Sequence, residues 1–232
     1  MRPAIDTAKL VRWYDFQAPF YRLWRHRHGR AVAAEVVSGA AAASLGRGAW
    51  ILDAGCGSGL FALALARAGR QSSVVGVDLS EGMLSAAARE ARGLAVDNLR
   101  LARADACRLP FRDGAFEIVV AAGLLPNVND WPQLLRELER VLGPAGRLLL
   151  VEVDRDAMGP AGRFLFWAMI LGQRFVSGLA PRFRFARSWD IRASTVEPVE
   201  LERALRGAGL RTRTTSRARG HLLLEVHKEG AT

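Results

Sequence analysis

The chain has 232 residues, 50% of them hydrophobic, and its 33 Lys and Arg outnumber 23 Asp and Glu for a formal charge of +10. That length suits one domain with a core of its own, and the composition excludes a disordered chain. The basic charge leaves nucleic acid, an anionic membrane or an acidic ligand open as partners, and equally an arginine-rich composition with no partner behind it.

The longest apolar run near the middle, Phe164 to Leu171, falls short of the about 20 residues that span a bilayer. The opening Met1-Arg2-Pro3-Ala4-Ile5-Asp6 lacks the apolar stretch of a signal peptide, which predicts a cytoplasmic protein. Cys56 and Cys107 form no CxxC pair, and His26, His28, His221 and His227 fit no zinc-protease pattern, so the sequence makes no case for a metal site.

Residues 1–48 lie outside any alternation, and the alanine run Ala40 to Ala43 within them favours helix. Trp50 to Ala54 then reads as a strand ending in a glycine-rich turn, and Leu60 to Ala68 as a helix stopped by Gly69. Ser73 to Asp78 is a second strand, after which Ser80 caps a helix running to about Arg92. Leu99 to Ala104 is a third strand, and Phe116 to Ala121 a fourth with the unbroken apolar character of a strand buried on both faces. Trp131 to Leu142 is an amphipathic helix ended by Gly143-Pro144, and Arg147 to Val153 is a fifth strand. Asp154 to Pro198 again departs from the alternation. Glu200 to Gly207 predicts a helix, and Leu210 to Arg217 with His221 to His227 an antiparallel hairpin turning at Gly220. Strands alternating with helices imply a doubly wound α/β fold with a mostly parallel sheet.

The chemistry concentrates in Ile51-Leu52-Asp53-Ala54-Gly55-Cys56-Gly57-Ser58-Gly59-Leu60, a strand, a glycine turn and a helix start. Glycines let a ligand approach the backbone, and the helix beyond offers unpaired N–H groups. A dinucleotide site requires GxGxxG, whereas here the glycines fall at 55, 57 and 59, with Asp53 ahead of them. Asp78 ends the second strand, where a carboxylate can accept from both hydroxyls of a ribose, and Asp105 follows the third. Taken singly, either acid fits a helix cap or turn equally well.

Taken in order, these segments resemble the class I S-adenosylmethionine-dependent methyltransferases, and the methyltransferase type 11 and menaquinone/ubiquinone C-methyltransferase group within them. The D-x-G-x-G-x-G form resembles their first motif. Leu109-Pro110-Phe111-Arg112-Asp113-Gly114-Ala115-Phe116-Glu117-Ile118-Val119 resembles their LPF-x-D-x-x-F-D-x-V run, with Glu117 where Asp is usual. Leu134 to Leu148 resembles their L-x-E-x-x-R-V-L-x-P-G-G-R-L segment, and Glu200 to Leu210 the helix before the last hairpin. The likeness covers roughly 45–155.

It implies a Rossmann-like, mostly parallel seven-stranded sheet with an antiparallel C-terminal hairpin. It also implies a single domain organised as an N-terminal helical lid (1–48), a cofactor-binding core (49–153), a helical substrate-capping insert after strand five (154–198) and a C-terminal helix and hairpin (199–232). By the same resemblance S-adenosylmethionine binds through Asp53, Ala54, Gly55, Cys56, Gly57, Gly59, Asp78, Leu79, Met83, Asp105, Ala106 and Ala121. Asp53 is implied to lie near the methionine amino group, Asp78 at the ribose and Asp105 at the adenine amine. Methyl transfer needs alignment more than a catalytic side chain, and no residue is singled out as catalytic.

The fourth strand leads into Ala121-Ala122-Gly123-Leu124, not the [DNS]-P-P-[YF] of enzymes that methylate base amines, which argues against a nucleic-acid acceptor. Asn127 can orient a substrate there, or serve only as a turn residue before Trp131. Trp13-Tyr14-Asp15-Phe16-Gln17-Ala18-Pro19-Phe20-Tyr21 resembles the YD-x-x-A-x-x-Y opening of the quinone group, which implies substrate contacts from Tyr14 and Tyr21 and closure by Phe20 and Trp24. In 160–189 large apolar residues interleave with arginines, the pattern of a greasy pocket roof, a peripheral membrane contact or a packed core helix. The expected activity is methylation of a small lipophilic acceptor at carbon or oxygen. The alternatives are a phospholipid N-methyltransferase and a non-catalytic S-adenosylmethionine-binding partner subunit.

Overall fold

The alternation folds as one seven-stranded sheet between two helical layers. The structure, a computed structural model, describes residues 6–41, 48–154, 158–160, 163–164, 167–168, 171, 197–218 and 220–230; within helices and strands it leaves aside the side chains of 20–30, 40, 41, 198 and 218. The elements are α1 (Thr7–Ala41), β1 (Trp50–Ala54), α2 (Leu60–Ala68), β2 (Ser73–Asp78), α3 (Glu81–Gly93), β3 (Leu99–Arg103), β4 (Phe116–Ala122), a 3-10 turn (Leu125–Asn127), α4 (Trp131–Val141), β5 (Leu142–Val153), α5 (Pro198–Gly207), β6 (Leu210–Ala218) and β7 (His221–Lys228).

The strand order is β3-β2-β1-β4-β5-β7-β6. β1 pairs in parallel with both β2 and β4, so the chain reverses its direction of winding at β1. In a doubly wound sheet ligands bind at the carboxyl ends of the strands beside such a reversal. The last two strands run antiparallel, β7 against β5 and β6 against β7, with a bulge between Thr212 and Thr214. Gly220, at φ 78°, makes the turn between them.

Alternation along each strand splits the core. Leu52, Val75, Val119, Leu148 and Leu150 face α4 and α5, with Leu134, Leu138, Leu201 and Leu205 opposite. Ile51, Val74, Ile118, Val120 and Leu149 face the other way, toward Phe61 and Leu65 of α2 and Val32, Ala33 and Val36 of α1. The C-terminal part of α1 is therefore a core helix, and only its N-terminal part is placed to act as a lid. Pro19 lies between the two parts. With no N–H it cannot donate to the Asp15 carbonyl one turn back.

Two departures from the sequence reading have local causes. Helix α4 is not ended by Gly143-Pro144. Leu142 already has extended geometry at φ −73° and ψ 134°, and β5 begins there. β5 then pairs with β4 through an irregularity between Phe116 and Ile118. Gly146 permits this, since a Cβ on it would lie 2.7 Å from Leu142 Cδ1. Second, Glu117 extends its carboxylate to the Trp50 N–H at 2.6 Å, tying the start of β1 to β4.

The L-x-E-x-x-R pattern of α4 also has a physical reading. Glu137 accepts the Leu109 N–H at 2.6 Å, while Arg140 donates to the Leu109 and Phe111 carbonyls and pairs with Glu137 and Asp113. The pair staples the Leu109–Asp113 loop to the helix. The Arg140 guanidinium holds the Glu137 carboxyl below the usual range, against a smaller opposing effect of burial.

Candidate functional site

The reversal point brings the predicted residues to one edge. Gly55, Gly57 and Gly59 all have positive φ, at 71°, 53° and 86°. The middle glycine differs from the outer two in what surrounds it. A Cβ at Gly55 would strike Leu124 Cδ1 at 2.8 Å, and one at Gly59 would strike Ala87 Cβ at 2.9 Å. A Cβ at Gly57 would meet nothing within 4 Å. The turn thus has its outer glycines packed against protein and its middle one open to whatever lies beyond the edge.

The turn is docked on β2. Cys56 N–H donates to the Val77 carbonyl and Gly57 N–H to Asp78 Oδ2, both at 2.9 Å. Asp78 Oδ1 accepts from Ser80 N–H at 2.8 Å. Burial pushes the Asp78 carboxyl above the usual range, the N–H groups of Ser80, Gly57 and Leu79 oppose that, and repulsion from Asp15 adds to it. A carboxylate held by two backbone donors still has lone pairs for two hydroxyl donors. Ala104 N–H donates to the Asp78 carbonyl at 3.2 Å, which draws the segment after β3 to the same edge. There Asp105 is exposed and takes the Cys107 N–H on Oδ1 at 2.9 Å, with Ala106 buried beside it. Leu79 is half-buried, whereas Met83 is buried beneath the edge with its N–H on the capping Ser80 hydroxyl at 3.1 Å. Ala121 pairs with Ala54 across β4 and β1, and both are buried.

Asp53 has a folding task that the resemblance did not imply. It is 0% exposed, and its Oδ2 accepts the Ala62 N–H at 2.8 Å. Helix α2 has Gly59 at its N-cap, with no side chain to satisfy its first N–H groups. Asp53 does so from the end of β1.

Ser58 escaped the sequence reading. It is 3% exposed, and its hydroxyl has no hydrogen-bond partner among the described residues. An unsatisfied buried hydroxyl costs about 1–3 kcal/mol, and this one stands inside the glycine turn. Its only sequence signal is a hydroxyl between two glycines, which is indistinguishable from a turn residue without burial.

The first half of α1 crosses this edge. Asp15 Oδ1 accepts the Ser80 hydroxyl at 2.6 Å and the Gly82 N–H at 2.9 Å. Tyr14 donates to Asn127 Oδ1 at 3.1 Å, and Asn127 Nδ2 donates to the Gly123 carbonyl at 2.7 Å. Two neighbouring residues thus reach the ends of β2 and β4. The turn holding Asn127 is itself fixed, since the Leu125 N–H donates to buried Glu152 and the Trp131 indole to the Leu125 carbonyl. The side chains of Phe20, Tyr21 and Trp24 lie outside the described residues, as does most of the insert at 154–198.

Residues 52–150 match the family described as a methyltransferase domain. That span starts in β1, ends in β5, and contains the glycine turn, Asp78 and Asp105. Residues 52–150, somewhat under half of the chain, thus resemble a methyltransferase domain. The demethylmenaquinone methyltransferase of Bacillus cereus is 37% identical over 112 residues, 48% of this chain and 47% of that protein. The chain thus spans about half the length of the curated relatives it matches. Among solved structures, magnesium protoporphyrin IX methyltransferase from Synechocystis PCC 6803 with bound SAH superposes with a TM-score of 0.67 at 21% identity, over 95% of this chain and 99% of that one. The [4+2]-cyclase SpnF gives a TM-score of 0.70 at 20% identity, over 97% and 98%. At these identities the likeness is one of fold. A cyclase among the neighbours of a methyltransferase domain is a reminder that fold does not fix the reaction.

Proposed function

We propose that the protein transfers the methyl group of S-adenosylmethionine to a small lipophilic acceptor, at carbon or oxygen of a ring of the quinone-precursor kind. The observation that carries the cofactor half is the Asp78 carboxylate held by Gly57 and Ser80 N–H groups beside the open face of Gly57. When bound, the sulfonium supplies an electrophilic methyl and a neutral leaving group. Asp78 accepts the ribose hydroxyls. Asp105 takes the adenine amine, and the Ala106 backbone meets the ring. The turn from Asp53 to Gly59 faces the methionine portion, with Ser58 donating its hydroxyl there. Leu79 packs on the adenosine and Met83 supports it from below, while Ala121 and Ala54 form a wall of small side chains. Tyr14 and Asn127 orient the acceptor, and α1 excludes water over the reacting atoms. Support for a lipophilic acceptor comes from the demethylmenaquinone methyltransferases, whose likeness extends over about half of each chain, and from the Ala121-Ala122-Gly123-Leu124 sequence where base-amine methyltransferases differ.

The test is transfer from methyl-labelled S-adenosylmethionine into a lysate of the source cell, followed by phase partition, with Asp78→Ala as control. Label in the organic phase that migrates with quinones on chromatography is the expected result. Label in phospholipid would move the reading to N-methylation of a headgroup. Label in RNA or protein would overturn it, and binding without transfer would favour a non-catalytic subunit.

A further inference from the structure

We propose that Asp15 is a positioning residue for the cofactor: by holding Ser80 and Gly82 it seats the first part of α1 over the glycine turn and gates the passage of S-adenosylmethionine. The inference rests on the S-adenosylmethionine reading of the site. Tyr14 and Asp15 are consecutive, yet one reaches the turn after β4 and the other the residues after β2. Those two strands flank β1 on either side. Helix α1 therefore crosses the end of β1, where Gly57 presents its open face. The bonds join protein groups alone, so they hold the helix down whether or not a ligand lies beneath it.

The seat is built from both helices. Asp15 Oδ1 takes the Ser80 hydroxyl at 2.6 Å and the Gly82 N–H at 2.9 Å. Ser80 in turn gives its N–H to Asp78 Oδ1 at 2.8 Å, so one serine joins the carboxylate of α1 to the carboxylate at the ribose position. Gly82 stands in the first turn of α3, where glycine weakens a helix relative to alanine. Close approach accounts for it: a Cβ there would lie 2.9 Å from Asp15 Cα and 3.1 Å from the Asp15 carbonyl oxygen. That same carbonyl lacks its helical donor, because Pro19 has no N–H. The ladder is thus interrupted beside the seat, where a helix bends most easily. Val32, Ala33 and Val36 keep the second part of α1 in the core. A ligand lying on Gly57 and Asp78 enters and leaves by lifting the first part off α3.

The test immobilises the full-length protein and reads both rate constants for S-adenosylmethionine by surface plasmon resonance. Asp15→Ala removes the acceptor. Gly82→Ala removes no hydrogen-bonding group and favours α3, but its methyl pushes the helix off, so the test stands even if Asp15→Ala fails to fold. Asp15→Asn keeps an Oδ1 acceptor of the same shape. Both alanine variants are expected to raise association and dissociation together by about tenfold, with Kd moving less than about threefold. Asp15→Asn should stay within about threefold of wild type in both rates. In ligand-free protein, amides 7–18 should exchange hydrogen faster in the alanine variants, with those of β1 to β5 unchanged. Unchanged rates in either alanine variant, or an Asp15→Asn protein that behaves like Asp15→Ala, would overturn the proposal. So would faster dissociation with unaltered association, which marks a ligand contact and not a gate. A wild type that binds no S-adenosylmethionine would sink the cofactor reading itself, and the gate with it.

Discussion

Replacing Gly57 with alanine separates a ligand cradle from a merely strained turn. At φ 53° an alanine lies within the left-handed region, at a cost of about 1 kcal/mol. The added methyl meets no protein atom within 4 Å. Folding should therefore suffer only that strain, a fall in Tm of roughly 2–4 °C for a domain of this size. If S-adenosylmethionine lies against the turn, the same methyl intrudes on it, and overpacking of about 2–3 kcal/mol weakens affinity about 30- to 150-fold. Gly59→Ala gives the opposite pattern. Its Cβ would sit 2.9 Å from Ala87 Cβ and 3.2 Å from Leu63 Cδ1 at φ 86°, so strain and overpacking together cost about 3 kcal/mol and roughly 10 °C of Tm. Calorimetric melting and isothermal titration on both variants read the contrast. A Gly57→Ala protein that binds S-adenosylmethionine like the wild type would refute the placement of the ligand.

Four further outcomes follow from the site. Ser58→Ala should leave the ligand-free Tm unchanged or raised, because it removes an unsatisfied hydroxyl, and should weaken S-adenosylmethionine about tenfold by titration; a destabilised ligand-free variant would mean that the hydroxyl serves the fold. Asp78 must be ionised to accept two hydroxyls, and its carboxyl is raised, so affinity should be full above that raised value and fall as pH drops through it, with an acid limb above the ordinary carboxylate range that Asp78→Asn abolishes. Arg140→Met should cost about 3 kcal/mol in denaturant unfolding, since it leaves two carbonyls without their donor and Glu137 with only the Leu109 N–H; the stability from the lowered Glu137 carboxyl, present above the usual glutamate range and lost as pH falls through its lowered value, should shrink with it. Tyr14→Phe removes the bond to Asn127 and should lower kcat/KM for the acceptor about tenfold with cofactor Kd unchanged, measured once an acceptor is in hand.

Strand and helix order was readable because β1, β2, β4 and β5 contain apolar runs closed by a glycine or an acid, and β3 alternates leucine with arginine or alanine before Asp105. Asp78 was readable as the last residue of one such run. The order of the strands, and so the reversal at β1, was not legible in the sequence, since periodicity says nothing about which strands are neighbours. Long-range bonds were invisible. Asp15 reaches Ser80 and Gly82, and Glu137 reaches Leu109, across sequence gaps that leave no local pattern. Tyr14 and Asn127 were each singled out in the sequence, but their mutual bond was not legible there. The role of Asp53 was masked because a carboxylate before a glycine turn suggests a ligand, while the missing N-cap it supplies becomes evident only once Gly59 is seen at the helix start. The core half of α1 was hidden because Val32, Ala33 and Val36 make a short stripe in an alanine-rich stretch.

The two strands that border the sheet bear on how the chain behaves when crowded. Open strand edges invite another chain to add on. Here β3 carries exposed Arg100 and Arg103. β6 carries exposed Arg211, Arg213 and Arg217, and its bulge between Thr212 and Thr214 breaks the flat register that an incoming strand would copy. Both edges thus carry long charged side chains, three of them ion-paired (Arg103 with Glu81, Arg211 with Glu229, Arg217 with Asp154), that an incoming strand would have to displace. Substituting Arg100, Arg211, Arg213 and Arg217 with valine or threonine is expected to raise edge-to-edge aggregation, read by light scattering against the wild type.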